Sequence, residues 1–243
     1  MKIRAVIFDL GYTMWGVDYG GEPEAYGRLR RRLVKELGES VPPANALRDA
    51  VAAVFRREGQ AYDSGKLEQK PTEQVFKEAF EALRLDVPEE SLREMAEETL
   101  SYGIRYSIDP DTVQALRALK QRGLRVGVVS NTYQSSRSLA SSLRRFGLLR
   151  NIDALVVSSE VGWGKPHPAI FEEALRRLDV RPKEAVFVGD TVLADIQGAQ
   201  AIGMKAVLTW EYRQEDPGDA KPDLIVERLS QVVDYVDRLN AEG

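Results

Sequence analysis

Apolar residues arrive along this chain in short uninterrupted runs, not in strict alternation with polar ones. The runs are 4–9 (RAVIFD), 124–131 (LRVGVVSN), 154–159 (ALVVSS), 185–190 (AVFVGD) and 205–210 (KAVLTW), with a weaker one at 223–226 (DLIV). A strand with one wet face alternates apolar and polar positions, so continuous runs rich in Val, Ile and Ala predict strands covered on both faces. Between them, helical spacing is read in 111–122, 135–146, 168–178 and 192–202. Gly123, Gly147 and Gly203 each follow such a segment, where a left-handed helix ending is expected. Strand–helix–strand repetition implies right-handed crossovers and a parallel sheet. The expected fold class is α/β, a doubly wound parallel sheet with helices on both faces.

One interval breaks the rhythm. From Trp15 to Ile108 no convincing strand run occurs, and the pattern is helical over 22–37, 44–57, 72–83 and 89–106. Gly38, Pro42, Pro43, Gly65, Pro71 and Pro88 punctuate these segments. The expectation is a small helical domain over 15–108, inserted after the first strand into a core formed by 1–14 and 109–243. Its most basic run (Arg28, Arg30, Arg31, Arg32 and Lys35) is flanked by Glu22, Glu24, Glu36 and Glu39, which marks a solvated helix face.

Composition narrows the function classes. The 243 residues include 34 Lys+Arg and 38 Asp+Glu, a formal net charge of −4 that argues against a nucleic-acid binder. No apolar run approaches the roughly 18 residues of a membrane span, and the short run before Asp9 does not read as a signal peptide. With no Cys, thiolate chemistry and disulfides are excluded; with one His, a multi-histidine zinc site is too. A soluble, cytoplasmic enzyme is expected.

In an open parallel sheet, ligands bind beyond the carboxyl ends of the strands. Those ends carry Asp9, then Ser130 and Asn131, then 158–160 (SSE), then Gly189 and Asp190. Asp, Ser and Asn form turns after any strand, but four polar strand ends on one edge, two of them Asp, point to a site. Two carboxylates about 4 Å apart at an effective dielectric near 20 repel by on the order of 4 kcal/mol. A cation relieves this, and with only oxygen ligands a hard ion such as Mg2+ is the natural candidate. Lys165, in the loop 162–168 (GWGKPHP), can supply a second positive charge.

The ordered set FDLGYTM (8–14), VVSNT (128–132), GKP (164–166) and GDTVLADIQGAQAIG (189–203) resembles the haloacid dehalogenase superfamily of mostly Mg-dependent phosphohydrolases. The resemblance spans the whole Rossmann-like core, and the helical interval is similar to that family's cap. It implies that Asp9 is the nucleophile forming an aspartyl-phosphate and that Ser130 binds a phosphoryl oxygen, with Asn131 supporting the loop. It further implies that Lys165 neutralises nucleophile and phosphoryl charge and that Asp190 binds metal together with Asp9 and the backbone of Gly11. Thr13 and Asp195 are implied as supporting residues behind that shell, although Asp195 is also placed to face a helix dipole. The implied cofactor is Mg2+ and the implied partner a small phosphorylated metabolite; oligomeric state is left open.

Gly11 departs from the family pattern, whose phosphatases usually carry Asp there. A glycine keeps the metal-binding carbonyl and loses the general acid, a loss of about 10²–10⁴-fold in rate. Three readings stay open: a phosphatase, a metal-independent dehalogenase-like hydrolase, and a binding or regulatory protein on a weakened site. The intact Gly189–Asp190 pair favours the first over the second. Trp15, Tyr19 and Trp163 are candidates for substrate stacking or for packing, Asp18 is a candidate proton donor, and His167 is expected to open the following helix.

Overall fold

The computed structural model describes residues 2–242. Its centre is a six-stranded, fully parallel sheet in the order β5-β4-β1-β6-β7-β8. The strands are β1 (Ala5–Phe8), β4 (Arg125–Ser130), β5 (Ala154–Val157), β6 (Ala185–Gly189), β7 (Lys205–Thr209) and β8 (Leu224–Val226). Successive side chains of β1 alternate between two cores: Val6 and Phe8 enter one, Ala5 and Ile7 the other. Both faces are covered, which is why the apolar runs lack alternation.

Helices α5 (Pro110–Gln121), α6 (Ser136–Arg145) and α10 (Ser230–Glu242) pack on one face through Leu116, Leu139 and Val232. On the other face lies α8 (Pro168–Leu178), with Ile170, Phe171 and Leu175 buried. Asp109 and Ser135 cap α5 and α6 by accepting backbone N–H bonds. Gly123, Gly147 and Gly203 have φ of 74°, 72° and 86°, the left-handed endings that the helical pattern requires.

Four helices fill the long interval: α1 (Glu22–Leu37), α2 (Ala44–Asp63), α3 (Thr72–Ala82) and α4 (Glu89–Gly103). They share an apolar core of their own, with Leu33, Leu47, Phe76, Phe80 and Met95 inside. The basic run on α1 is a salt-bridged face: Arg28 meets Glu24 at 2.8 Å and Arg32 meets Glu94 at 2.6 Å. The interval is not free of strands, as its pattern predicted. β2 (Gly16–Asp18) and β3 (Arg105–Ser107) pair antiparallel, so α4 ends at Gly103 and the chain leaves and re-enters the core through a ribbon. Three residues are too few to show a period, and their partners lie some ninety positions away, so nothing local announces them. Helix α2 also runs six residues beyond the expected end at 57.

The connection after β1 leads to β4 on one side, whereas β6 pairs with β1 on the other. β1 therefore sits at the topological switch point, where the crevice of a doubly wound sheet opens.

Candidate active site

Asp9 is the first residue past β1, its N–H bonded to Val188 O at 2.8 Å. The chain then turns tightly: Met14 N–H donates to Leu10 O at 3.0 Å and Tyr12 N–H to Trp15 O at 2.7 Å. The residue that takes the left-handed conformation here is Tyr12 (φ 56°), not Gly11. A Cβ on Gly11 finds only Val17 Cγ2, at 3.7 Å, which is ordinary contact.

Lys165 is the hub. It is 2% exposed, and its Nζ lies 2.5 Å from Asp9 Oδ1 and 2.7 Å from Asp195 Oδ1. The loop carrying it is clamped by Asn131, whose Oδ1 accepts from Lys165 N–H at 2.7 Å while its Nδ2 donates to Lys165 O at 3.0 Å. Tyr62, from α2, donates to the same carbonyl at 2.5 Å. Asp195 is fixed from behind, its Oδ2 accepting from Thr191 N–H at 2.9 Å and Thr191 Oγ1 at 2.6 Å. It packs so closely on Gly189 that a Cβ there falls 2.3 Å from its carboxyl carbon. Only glycine fits at the end of β6.

Asp190 completes the cluster, and each of Asp9, Asp190 and Asp195 places an oxygen within 4.8 Å of the others'. Thr13 Oγ1 donates to Asp190 Oδ1 at 3.4 Å. Asp190 Oδ2 is buried without a hydrogen bond, although the Arg213 guanidinium approaches to 2.5 Å from the loop after β7. Burial raises the Asp190 pKa, and the charges of Asp9 and Asp195 add to it, carrying it up to about 7 against the pull of Arg213 and Lys165. Burial also raises Asp9, opposed by Lys165. Burial opposes the Lys165 ammonium, yet the two flanking carboxylates win and its pKa rises. A pinned, buried ammonium thus neutralises one side of the cluster, and on the other Asp190 has only the half-exposed Arg213 guanidinium. A buried, all-oxygen donor set whose outer carboxylate is met only by the half-exposed Arg213 guanidinium suits a hard divalent cation.

Ser130 lies at the end of β4 with no side-chain hydrogen bond to the described residues, and lines the same cavity as Asp9, Gly11, Asn131, Lys165, Asp190 and Asp195. Thr13, fully buried, stands behind. Trp15 stacks on Tyr106 of β3 with ring centroids 4.1 Å apart, and Trp163 stacks on His167 at 4.2 Å. Both tryptophans are used in packing. His167 caps α8, its Nδ1 accepting from Ala169 N–H. Tyr19 is 57% exposed and reaches the cavity rim. Asp18 is exposed on β2, accepts from Gly20 N–H at 3.0 Å, and does not line the cavity. Arg213 and Tyr62 were not legible as site residues: one sits in a loop without pattern, the other at the end of a helix whose expected end fell short of it.

Residues 3–203 match the family described as haloacid dehalogenase-like hydrolase. Among curated proteins, a phosphoserine phosphatase of Thermus thermophilus is 36% identical over 161 residues, 66% of this chain and 63% of that protein. A glyceraldehyde 3-phosphate phosphatase of Methanopyrus kandleri is 36% identical over 134 residues, 54% of this chain and 57% of that protein. The matches thus span less than two thirds of these relatives' own length. Among solved structures, a 2-haloacid dehalogenase from Pseudomonas syringae superposes with a TM-score of 0.68 at 26% identity, covering 98% of this chain and 99% of that one. A HAD phosphatase from Thermococcus onnurineus gives 0.61 at 25% identity, covering 96% and 98%.

Proposed function

The chain belongs to the haloacid dehalogenase-like hydrolase family, and from that premise we propose that it is a Mg2+-dependent phosphatase of a small phosphorylated metabolite. The observation that carries this reading is the asymmetric cluster: Asp9 held by a buried Lys165, beside a buried Asp190 whose Oδ2 meets only the half-exposed Arg213 guanidinium, at 2.5 Å. Relatives named as phosphatases of phosphoserine and glyceraldehyde 3-phosphate support the reaction class.

In this reading Asp9 attacks phosphorus and carries the phosphoryl group as an aspartyl-phosphate until water releases it. Lys165, kept charged by Asp195, offsets the negative charge that gathers between nucleophile and phosphoryl oxygens. Ser130 donates its unengaged hydroxyl to a phosphoryl oxygen, and Asn131 acts by holding the Lys165 loop in place. Asp9, Asp190 and the carbonyl of Gly11 would hold Mg2+, which supplies charge neutralisation, while Thr13 orients Asp190. Residues 15–108 act as the cap over this edge, tied to the core by backbone bonds from Gln69 N–H to Gly162 O and from Gly164 N–H to Leu67 O. Among the described residues no helix is long and apolar enough to cross a membrane. A cytoplasmic setting belongs to the same proposal.

The dehalogenase alternative draws on a solved neighbour of that name. Against it, Asp190 adds a buried carboxylate beside Asp9 that a metal-dependent site would use. A screen of phosphomonoesters with and without Mg2+, alongside chloride release from 2-chloropropionate, decides the matter. Mg2+-dependent phosphate release is expected; metal-independent chloride release without it transfers the chain to the other reading, and no turnover of any kind leaves a binding protein.

A further inference from the structure

Two features of this chain constrain the leaving group from opposite directions. The first is chemical. With glycine at position 11, no carboxyl group of the β1 loop after Asp9 faces a departing oxygen, and the one phenolic hydroxyl there, on Tyr12, donates to Val17 O at 3.4 Å. Apart from the buried cluster, the carboxyl group lining the catalytic cavity is Asp63, solvent-exposed at the last turn of α2. An alkoxide leaves from an alcohol about as weakly acidic as water, whose pKa is about 15.7. A phenolate leaves from a hydroxyl of pKa about 10. Without an acid, only the second departs readily.

The second feature is steric. The catalytic cavity adjoins another of about 420 Å³ among the helices of 22–103, the two sharing Tyr19, Ile104 and the 131–134 segment in their linings. The inner part of this second cavity is lined by Tyr26, Ala52, Phe55 and Leu100 together with Tyr133. Phe55 and Tyr133, both in this lining, meet edge to face at 4.7 Å. Two buried polar side chains on this wall are already spent: Thr99 donates to Met95 O, and Gln134 accepts from Tyr106 and donates to Ser138. The remaining hydroxyls on the wall belong mostly to tyrosines (Tyr19, Tyr26 and Tyr133), whose rings with Phe55 give an aromatic ring surface to pack on. Charge appears only at Glu22, half-buried with no ion pair among the described residues, and at Arg48, which is tied to Asp49 at 2.8 Å.

We infer that the leaving group is a phenol: the substrate class is an aryl phosphomonoester whose ring enters the cavity between Phe55, Tyr133 and Leu100. This rests on the phosphatase reading above. Asp9 Oδ forms the bond to phosphorus as the P–O(aryl) bond breaks. The electron pair leaves as phenolate, which takes its proton from water. A second water then attacks phosphorus, frees the Asp9 carboxylate and yields inorganic phosphate.

The test uses the whole chain with Mg2+ and pairs turnover with binding. The substrates are phenyl phosphate, O-phosphotyrosine, O-phosphoserine, glycerol 3-phosphate and acetyl phosphate. Phenylphosphonate and methylphosphonate, which cannot be turned over, report cavity binding independently of leaving-group reactivity. The aryl esters are expected to exceed the alkyl esters by about 10²-fold or more in kcat/KM, and phenylphosphonate to inhibit at least about tenfold more tightly than methylphosphonate. Ala52→Phe, which fills the cavity, should reduce that phosphonate preference to about threefold or less. Phe55→Leu, checked like the first by thermal melting, should weaken it in the same direction. Equal inhibition by the two phosphonates, alkyl turnover matching aryl, or a preference unmoved in both folded variants overturns the aryl assignment and leaves the phosphatase intact. If neither acetyl phosphate nor any ester is turned over, the phosphatase reading falls and this inference falls with it.

Discussion

The two halves of the crevice are built on opposite physics. At the sheet edge, Asp9, Lys165, Asp190 and Asp195 are all buried and ionisable; Lys165 locks Asp9 and Asp195 with help from Thr191, while Asp190 pairs with the half-exposed Arg213. Beneath the cap, Tyr26, Phe55, Leu100 and Tyr133 form an apolar wall whose polar neighbours are satisfied among themselves. The first region fixes where charge goes at the cost of desolvating ions. The second offers surface and little direction. A hydrolase needs both, since the phosphoryl group demands positioned charge while the leaving group demands only a fitting space. Chemistry and specificity are therefore separable in this molecule, and mutations can test that separation.

The largest effect is expected from Asp9→Asn. It removes the proposed nucleophile while Lys165 keeps Asp195 as its partner, so phenyl phosphate turnover should fall by about 10⁴-fold or more with the fold retained in circular dichroism. Turnover near that of the parent chain would place the nucleophile elsewhere. Next comes Lys165→Met, which leaves Asp9 and Asp195 facing each other without a cation. Breaking a buried pair this way costs about 3–5 kcal/mol, and at about 2–4 °C per kcal/mol for a chain of this size the melting temperature should drop by roughly 6–20 °C. An unchanged melt would show that the cluster is hydrated and not locked.

Asp190→Asn separates the under-compensated carboxylate from the locked ones. Its pKa is raised to about 7 in the fold, chiefly by burial and then by Asp9 and Asp195, against about 3.9 in an unfolded chain. Between those values the folded protein holds the extra proton, so metal-free stability falls as pH rises from about 4 to about 7. In chelator, the variant should melt above the parent at pH 8 and lose that advantage near pH 4. Mg2+ affinity, read by calorimetry, should weaken sharply in the same variant. A melt difference that ignores pH removes Asp190 as the source.

The smallest effect sharpens the contrast most. Gly11→Asp has room, since its Cβ meets only Val17 at 3.7 Å and its φ is not left-handed. Restoring an acid there should raise turnover of glycerol 3-phosphate by about tenfold, roughly 1.4 kcal/mol, and barely change phenyl phosphate. Equal gains on both esters would show that protonation is not what limits the alkyl substrate.

The sequence by itself determined the sheet, its two covered faces and the polar residues at its carboxyl edge. These follow from local period and from runs of Val, Ile and Ala, which any backbone must bury in one way. It also showed glycine at position 11, where the phosphatases of the family usually carry Asp, because residue identity at a motif position needs no coordinates. What only the tertiary structure decided depends on residues far apart in the chain. The β2–β3 ribbon pairs Gly16 with Ser107, Lys165 bridges Asp9 and Asp195, Arg213 reaches Asp190, and Tyr62 of α2 holds the Lys165 carbonyl. The cap cavity belongs to the same class, since Ala52, Leu100 and Tyr133 become one wall only when three separate segments meet. Local pattern fixes which face of an element is buried; which elements meet there is set by packing, and packing leaves no period to read.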